Sequence, residues 1–499
     1  MSDTYNRFIE KVREIGQLEA IEQLLEWDQE TNMPERGLAA RAEHMALAAR
    51  MKHERRTSPE LGELLSALDG SADDPVVATN VRETRRVYER AVKVPGDLVA
   101  KIASVSSMAR AEWVGARKAS DFKRFAPYLK ELLDLKRQLA DAVGFAGERY
   151  DALLDEYEPG ARTSDLAQVF AELREPLAAF IREISSAAHH PDEAIVHRSF
   201  PRAAQEAFAR KLAAAIGFDF QAGRLDVSAH PFCTGIAPGD VRMTTRYHET
   251  HFNSAIFGVL HETGHGLYEQ GLDEGQRYTP MGQAVSLGIH ESQSLMWENI
   301  VGRSRAFWEY FYPECRATFS KALKGVSLDA WVGAINVVKP SMIRVEADEA
   351  TYNLHIILRF ELERALLDGN LAVNDVPEAW NAKMEELLGI RPAGDAEGCL
   401  QDIHWSLGIF GYFPTYALGK LYGAQFWEAA RRDIPDVEDR FRCGDFRVLL
   451  DWLRGNIHRR GKRYRPDELV RAVTGEPLSI RPFMNYLHEK FAPIYGVAG

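Results

Sequence analysis

Hydrophobic residues recur every three or four positions over the first part of the chain, from Tyr5 to Leu25. This spacing is typical of one apolar face of an amphipathic helix, and it shows none of the alternation expected of a strand. We therefore predict a long helix at this end of the protein. Its apolar positions are Tyr5, Phe8, Ile9, Val12, Ile15, Leu18, Ile21, Leu24 and Leu25.

Helix start signals occur elsewhere in the chain. Ser58 is followed by Pro59 and Glu60, which is the order of an N-cap, a first-turn proline and an acid that suits the positive end of the helix dipole. Asp165 marks another start, and we expect that helix to kink or break at Pro176. The predicted fold class is therefore mainly α.

Two short segments depart from the helical pattern. Residues 225–228 and 241–247 alternate with a period of two around the turn-rich segment 231–239, which predicts a small antiparallel β hairpin or sheet. An extended peptide would be able to pair with the edge of such a sheet. A hairpin that only connects two helices fits the alternation equally well.

The segment 261–265, which reads HETGH, follows the predicted hairpin. On a helix, His261 and His265 leave the same face and are able to share one Zn²⁺ ion, with Glu262 beside them as a base. A polar surface helix is the alternative, but the flanking residues are mostly apolar and indicate burial. Burying these groups without a partner is costly, so a metal is the simplest explanation. The flanking residues are Phe252, Ile256, Phe257, Val259, Leu260 and Leu267.

A catalytic zinc ion usually takes three protein ligands and keeps a fourth position open. Tyr268 and Gly271 stand where a metzincin would have its glycine and third histidine, which excludes that class. Glu291 is the best candidate for the third ligand, because it replaces an aliphatic residue on the face shared by Leu287 and Leu295. The competing carboxylates are Glu298, which is the strongest rival, and Glu269, Asp273 and Glu274.

Composition describes a globular protein. The chain has 499 residues, of which 45% are hydrophobic, and a formal net charge of -12, so it buries a large core and is a poor partner for nucleic acid.

We see no signal segment and no run long enough to span a membrane, and we expect a cytoplasmic location. The four cysteines are far apart, so reduced thiols are expected. Without a Pro, Gly or Ser-rich linker, residues 1–499 are predicted to form one domain.

Several later segments carry polar residues where core is expected, and each alone is compatible with an ordinary salt bridge or a buried histidine. Together with the HETGH helix, they closely resemble the carboxypeptidase Taq family of metallocarboxypeptidases, distant relatives of angiotensin-converting enzyme and neurolysin. The resemblance covers most of the chain. Its segments are DVRMT at 240–244, HETGH at 261–265, HESQ at 290–293, IRVEAD at 343–348 and GCLQDIHW at 398–405.

The resemblance implies a mostly helical, cleft-containing gluzincin fold that is commonly a homodimer. It implies an enzyme that removes C-terminal residues from peptides with broad specificity, and a metal held by His261, His265 and Glu291, the set that spacing also favours. Zn²⁺ is the expected ion, and Co²⁺ or Mn²⁺ would suit the same ligands. Glu262 is expected to take a proton from the attacking water and to protonate the leaving amine.

Further roles rest on the resemblance and on the chemistry of a peptide C-terminus. Tyr412, which the resemblance places near the metal, is expected to stabilise the oxyanion, with Tyr416 as the alternative. A guanidinium is needed for the substrate carboxylate, and Arg344 is the first candidate and Arg242 the second. The remaining expectations are substrate hydrogen bonds from His404 and His230, and orientation of ligands or arginines by Asp348 and Asp402.

Residues 1–75 are expected to form a mobile helical flap over the cleft, since a cleft that processes peptides must open. Two other functions use the same motif. A zinc endopeptidase or dipeptidase would share the metal chemistry, and an inactive peptide-binding protein would keep the metal as a structural clamp. The intact Glu262 disfavours the inactive protein.

Overall fold

The structure is a computed structural model that describes residues 3–70 and 73–497. Helices form most of it, as the sequence predicts. The α-helices are α1 (Asp3–Thr31), α2 (Leu38–Arg56), α3 (Pro59–Ala67), α4 (Pro75–Lys93), α5 (Gly96–Ala119), α6 (Phe122–Val143), α7 (Arg149–Leu154), α8 (Thr163–Ser185), α9 (Arg202–Ala215), α10 (Phe252–Gly271), α11 (Leu287–Leu295), α12 (Arg305–Thr318), α13 (Leu328–Ile335), α14 (Tyr352–Asp368), α15 (Val376–Leu388), α16 (Pro414–Asp433), α17 (Val437–Arg442), α18 (Arg447–Asn456), α19 (Pro466–Thr474) and α20 (Arg481–Tyr495). The strands are β1 (Gly223–Val227), β2 (Cys233–Ala237) and β3 (Asp240–Thr245).

The predicted first helix is confirmed, although its apolar face is buried over only part of its length. The predicted apolar positions from Tyr5 to Leu18 are buried, whereas Ile21 and Leu24 are exposed. The second half of α1 meets α2, in which Ala48 is the buried residue. Ion pairs connect the two helices, and they join Arg41 to Asp28, Lys52 to Glu22, Arg55 to Glu14 and Arg56 to Glu19.

Local signals predict helix starts better than helix interruptions. The side chain of Ser58 accepts the backbone N–H of Leu61 at 3.3 Å, which confirms the predicted cap of α3. The expected break at Pro176 is wrong, because α8 continues through this residue to Ser185. Proline removes one backbone donor, and the buried apolar face on both sides of it keeps the helix in place.

The small sheet is mixed and not the simple antiparallel hairpin that the sequence predicts. Its strand order is β1-β3-β2, in which β1 pairs with β3 in parallel and β2 pairs with β3 antiparallel. The segment read as turn-rich contains β2. This strand lacks a clean alternation, since all five of its residues are half-buried, so periodicity does not reveal it.

Two groups of buried apolar residues organise the molecule. The larger one extends from α5 to α20. A smaller one lies among α1, α3 and α4 and includes Phe8, Val12, Leu61 and Leu65. The N-terminal helices therefore have an apolar cluster of their own. Among the described helices, none combines the length and apolarity needed to cross a lipid bilayer.

Candidate metal centre and peptide site

The candidate metal ligands come together from two helices. His261 and His265 lie one turn apart on α10, and Glu291 lies on α11. The Oε2 atom of Glu291 is 3.9 Å from Nε2 of His261 and 3.5 Å from Nε2 of His265, and one ligand atom from each residue lies within 4.8 Å of the others. Tetrahedral zinc at its usual bond lengths separates its ligands by about 3.3 Å. The set therefore fits a zinc-sized ion after a small contraction.

Glycines allow the helices of the site to approach closely. A Cβ atom on Gly264 of α10 would lie 2.5 Å from the carbonyl oxygen of Gln293 and 2.6 Å from Cα of Ser294. A Cβ atom on Gly419 of α16 would lie 2.7 Å from Cβ of Glu291. Both distances are shorter than carbon and oxygen atoms tolerate. Two glycines therefore set the position of Glu291 from opposite sides.

We expect Gly264→Ala to lower both the stability and the metal affinity of the protein. The added methyl meets backbone of α11, which has no rotamer to change, and overpacking of this kind costs about 1–3 kcal/mol. Gly258→Ala on the same helix is the matched control, because nothing lies within 4 Å of its added Cβ. Thermal unfolding and zinc titration of both variants measure the effect. Equal behaviour of the two variants would contradict this account.

His261 is oriented by a carboxylate on the far side of its ring. Its Nδ1 lies 2.9 Å from Oε2 of Glu298, and Oε1 of Glu298 lies 3.4 Å from Nη2 of Arg303. Glu298 is in the π-helical turn Met296–Val301 that continues α11. The sequence makes Glu298 a rival for the third ligand position, whereas its place in the structure is behind His261 and out of the ligand set.

His265 is oriented by a second histidine. Its Nδ1 lies 2.5 Å from Nδ1 of His290, and Nε2 of His290 lies 2.7 Å from Oε1 of Glu269. Glu269 is one turn after His265 on α10, and His290 precedes Glu291 on α11. Sequence reasoning missed this role of His290 and Glu269. The spacing of four between His265 and Glu269 was the available signal.

Electrostatics at the site favour a cation. Burial lowers the pKa of His261, but the carboxylates of Glu291 and Glu298 outweigh it and raise the value to about 10. Burial, together with the neighbouring His290, lowers the pKa of His265 to about 3. Burial also raises the pKa of Glu262 to about 7, against the opposing effect of His261. Three buried carboxylates around two imidazoles form a site that a divalent cation would neutralise.

Arg344 lies in a second buried cluster, beside the metal ligands. Its Nε and Nη2 atoms are each 2.9 Å from Oδ1 of Asp402, and its Nη1 donates to the hydroxyl of Tyr352. Arg359 donates through Nε to the other oxygen of Asp402 at 2.7 Å. Two guanidinium groups thus share the carboxylate of Asp402. Three of the five N–H donors of Arg344 are used, which leaves one on each Nη.

Tyrosines occupy the space between Arg344 and Glu291. The guanidinium carbon of Arg344 lies 5.0 Å from the ring centre of Tyr416, and the ring of Tyr416 lies 5.3 Å from that of Tyr412. Burial raises the pKa of Tyr412, and the carboxylate of Glu291 raises it further. The phenol of Tyr412 is therefore close to a candidate metal ligand.

His404 is a neutral side chain in the same cluster. Burial lowers its pKa to about 4, and its Nε2 is 3.4 Å from the hydroxyl of Tyr416. Its buried Nδ1 contacts no hydrogen-bond partner within the described part of the chain. Asp348 has a different environment, since it accepts the backbone N–H groups of Lys339 and Thr351 at 3.0 Å. These bonds stabilise the entry to α14, and within the described residues none of the hydrogen bonds of Asp348 goes to an arginine side chain or to a candidate ligand.

Arg242 and His230 lie at the sheet. Arg242 is paired with Asp240 through two 2.9 Å hydrogen bonds, and its guanidinium stacks 4.2 Å from the ring centre of Trp27. Asp240 therefore already balances its charge. His230 is exposed in the loop between β1 and β2. Neither residue joins the buried cluster around Arg344.

The helical fold and the two-imidazole, one-carboxylate site define a metallopeptidase of the gluzincin class. Residues 7–491 match the family described as carboxypeptidase Taq (M32) metallopeptidase, and the chain belongs to this family. It is 49% identical to thermostable carboxypeptidase 1 of Thermus thermophilus and 39% identical to carboxypeptidase 1 of Bacillus subtilis, with 99% of each chain covered in both alignments. An M32 carboxypeptidase structure from Deinococcus radiodurans R1 is 40% identical, superposes with a TM-score of 0.97, and is matched over 99% of this chain and 100% of that one.

Proposed function

We propose that this enzyme releases single residues from the free C-terminus of peptides, with zinc as its metal. One observation carries the restriction to a C-terminus. Arg344 and Arg359 share the carboxylate of Asp402, which leaves surplus positive charge in a buried cluster near Glu291. A substrate carboxylate would neutralise that charge through the unused N–H groups of Arg344. Arg242 is the weaker candidate because Asp240 already pairs with it.

His261, His265 and Glu291 would hold the metal ion. A zinc ion bound there would supply Lewis acidity for the attack of water on a peptide carbonyl. Glu262 follows His261 on α10 and is buried, and its carboxylate would accept the proton of the attacking water. The same carboxyl then donates the proton to the leaving amine. Burial of these groups excludes bulk water and strengthens their electrostatic interactions.

Tyr412 and His404 would complete the substrate contacts. The phenol of Tyr412 would donate to the oxyanion that forms on the carbonyl, because it lies near Glu291 and in contact with Tyr416. The unpartnered Nδ1 of His404 would bond to the substrate backbone, since a buried polar atom of this kind favours a partner. In this scheme Asp402 positions the arginine, and the Tyr416 ring supports its guanidinium.

Peptides blocked at the N-terminus test this function directly. An N-acetylated peptide with a free C-terminus should lose its residues one at a time from that end, and the same peptide with a C-terminal amide should be cleaved far more slowly. Mass spectrometry of timed samples records both series. Internal cleavage of both peptides would indicate an endopeptidase, release of C-terminal pairs would indicate a dipeptidase, and no cleavage with zinc bound would indicate a binding protein.

We expect Arg344→Ala to raise KM for a free-acid peptide about 10-fold to 100-fold. The variant loses a charge-assisted hydrogen bond that is worth about 1.5–3 kcal/mol. The amidated peptide should be affected much less. Arg242→Ala is the matched control, and it should leave the ratio between the two peptides unchanged. Steady-state kinetics on both peptides decide the assignment, and an equal rise of KM for both peptides would remove Arg344 from this role.

Residues 1–75, apart from the undescribed 1–2 and 71–72, are proposed to act as a flap over the cleft. Helix α1 packs against β2, and Trp27 stacks on Arg242 of β3. An extended peptide that pairs with the edge of β2 would have to displace α1. The apolar cluster that α1 and α3 share with α4 is separate from the larger core, which supports motion of these helices relative to that core. Hydrogen exchange with and without a bound peptide would detect it, and unchanged exchange in α1 would exclude it.

A homodimer, a cytoplasmic location and broad side-chain specificity stay predictions. The four cysteines are free thiols within the described chain, which is consistent with a reducing compartment. Sedimentation, cell fractionation and a peptide library would check the three properties separately. Metal analysis of the purified enzyme would distinguish zinc from cobalt or manganese.

A further inference from the structure

We propose that His290 and Glu269 form a relay that fixes the tautomer of His265 and thereby prepares it to bind metal. This inference rests on the metal site proposed above and adds two positioning residues to it. The relay starts at Glu269 on α10, crosses to His290 on α11, and returns to His265 on α10. It differs from the arrangement at His261, which contacts the carboxylate of Glu298 directly.

The contacts of His290 favour one placement of the protons. The carboxylate of Glu269, 2.7 Å from Nε2 of His290, can only accept, so the N–H at Nε2 of His290 donates to it. With Nε2 donating, Nδ1 of His290 is left as the acceptor, and it faces Nδ1 of His265 at 2.5 Å. The proton between these two nitrogens therefore belongs to His265. Its Nε2 is left with a free lone pair, directed toward Glu291.

The opposite tautomer would disable the site. If His290 donated from Nδ1, His265 would carry its proton on Nε2, at the atom that faces Glu291 and the other ligand. A metal cannot bind a protonated nitrogen. The relay thus selects one of two tautomers that are close in energy in free imidazole.

Packing holds both relay residues in place. A Cβ atom on Gly235 of β2 would lie 2.1 Å from Oε2 of Glu269, so β2 passes directly over this carboxylate. The ring of His290 lies 5.2 Å from the ring of Tyr268. Glu269 is half-buried, with a side chain that is 19% exposed. At this depth the carboxyl group of Glu269 needs a hydrogen-bond partner, and the N–H of His290 supplies one.

Zinc affinity of purified apo variants, measured by competition with a chromophoric chelator, tests the relay. His290→Leu removes the acceptor and should weaken zinc binding about 10-fold to 100-fold, as loss of such outer hydrogen bonds does elsewhere. His290→Asn places an amide oxygen where Nδ1 stood and should restore most of the affinity. His458→Asn is the matched control, because His458 is fully buried and contacts Tyr268 as His290 does, but its hydrogen bond at 2.9 Å goes to Gln293 and not to a candidate metal ligand.

A double-mutant cycle tests Glu269. Glu269→Leu should weaken zinc binding in the wild-type background, since His290 is then free to adopt either tautomer. In the His290→Asn background the Glu269→Leu change should have little effect. An amide oxygen is an acceptor in every state of the side chain, whereas Nδ1 of a histidine is an acceptor in one tautomer only. A purely structural role of Glu269 would give the same loss in both backgrounds.

Two results would overturn the relay: His290→Leu with wild-type zinc affinity, or His290→Asn no better than His290→Leu. The outcome is separable from the proposed activity. If the wild-type protein binds zinc but releases no C-terminal residue, the affinities of the variants still decide the relay. If the single variant His265→Ala binds zinc as tightly as the wild-type protein, His265 is not a metal ligand. That result would contradict the proposed metal site, and the relay with it.

Discussion

Glu262→Gln is expected to abolish peptide hydrolysis while the protein keeps its metal. The glutamine side chain has the size of the glutamate but takes no proton from water, so the loss should reach the upper part of the about 10²-fold to 10⁴-fold range of general acid and base catalysis. Turnover of an N-acetylated peptide and the zinc content of the same sample measure both halves of the prediction.

The comparison for this variant is Glu274→Gln. Glu274 follows α10 and is 75% exposed, so the same chemical change there should leave turnover unaltered. Loss of zinc from Glu262→Gln would assign Glu262 to metal binding. Full activity with zinc bound would remove it from the proton transfers.

Tyr412→Phe should lower kcat about 10²-fold to 10³-fold with a smaller change in KM. A single donor to an oxyanion has this value because the charge develops only in the transition state. The hydroxyl is the only group removed, so the ring contacts with Tyr157 at 5.1 Å and with Tyr416 at 5.3 Å should survive. Steady-state kinetics and the unfolding temperature of the variant are the two measurements.

Tyr416→Phe distinguishes the two phenols. The variant keeps the ring beneath Arg344 and loses the hydroxyl that contacts Nε2 of His404 at 3.4 Å, so it should alter KM more than kcat. If the large fall in kcat follows Tyr416 and not Tyr412, the oxyanion donor is Tyr416. Unaltered kcat in both variants would exclude a phenol from this task.

The candidate metal ligands, whose side chains the structure brings together, could be selected from the sequence because each one obeys a local rule. His261 and His265 are one helical turn apart, and Glu291 interrupts an apolar face. The roles of the surrounding residues were not within reach. Glu298 continues the same sequence spacing as Glu291, and only the π-helical turn at 296–301 places it behind His261 and apart from the ligands.

Long-range partners explain most of the other differences. Asp402 holds two arginines that come from other parts of the chain, 58 and 43 residues away, and no period or motif spacing encodes such a pairing. The parallel pairing of β1 with β3 depends on the strand inserted between them in the sequence. At Pro176 the local rule predicts a break, but packing of the helix against its neighbours decides the outcome.

The close approach of α10, α11 and α16 at Gly264 and Gly419 has a consequence for biosynthesis. Before these helices dock, a nascent chain offers an ion only the two imidazoles of α10, and such a pair is a weak chelator. Tight metal binding also needs the carboxylate of Glu291, which packs against Gly419 of α16. Helix α16 begins more than 120 residues after Glu291 along the chain. We therefore expect metal loading to be a late step of maturation, in an apoenzyme that has already reached a nearly native shape.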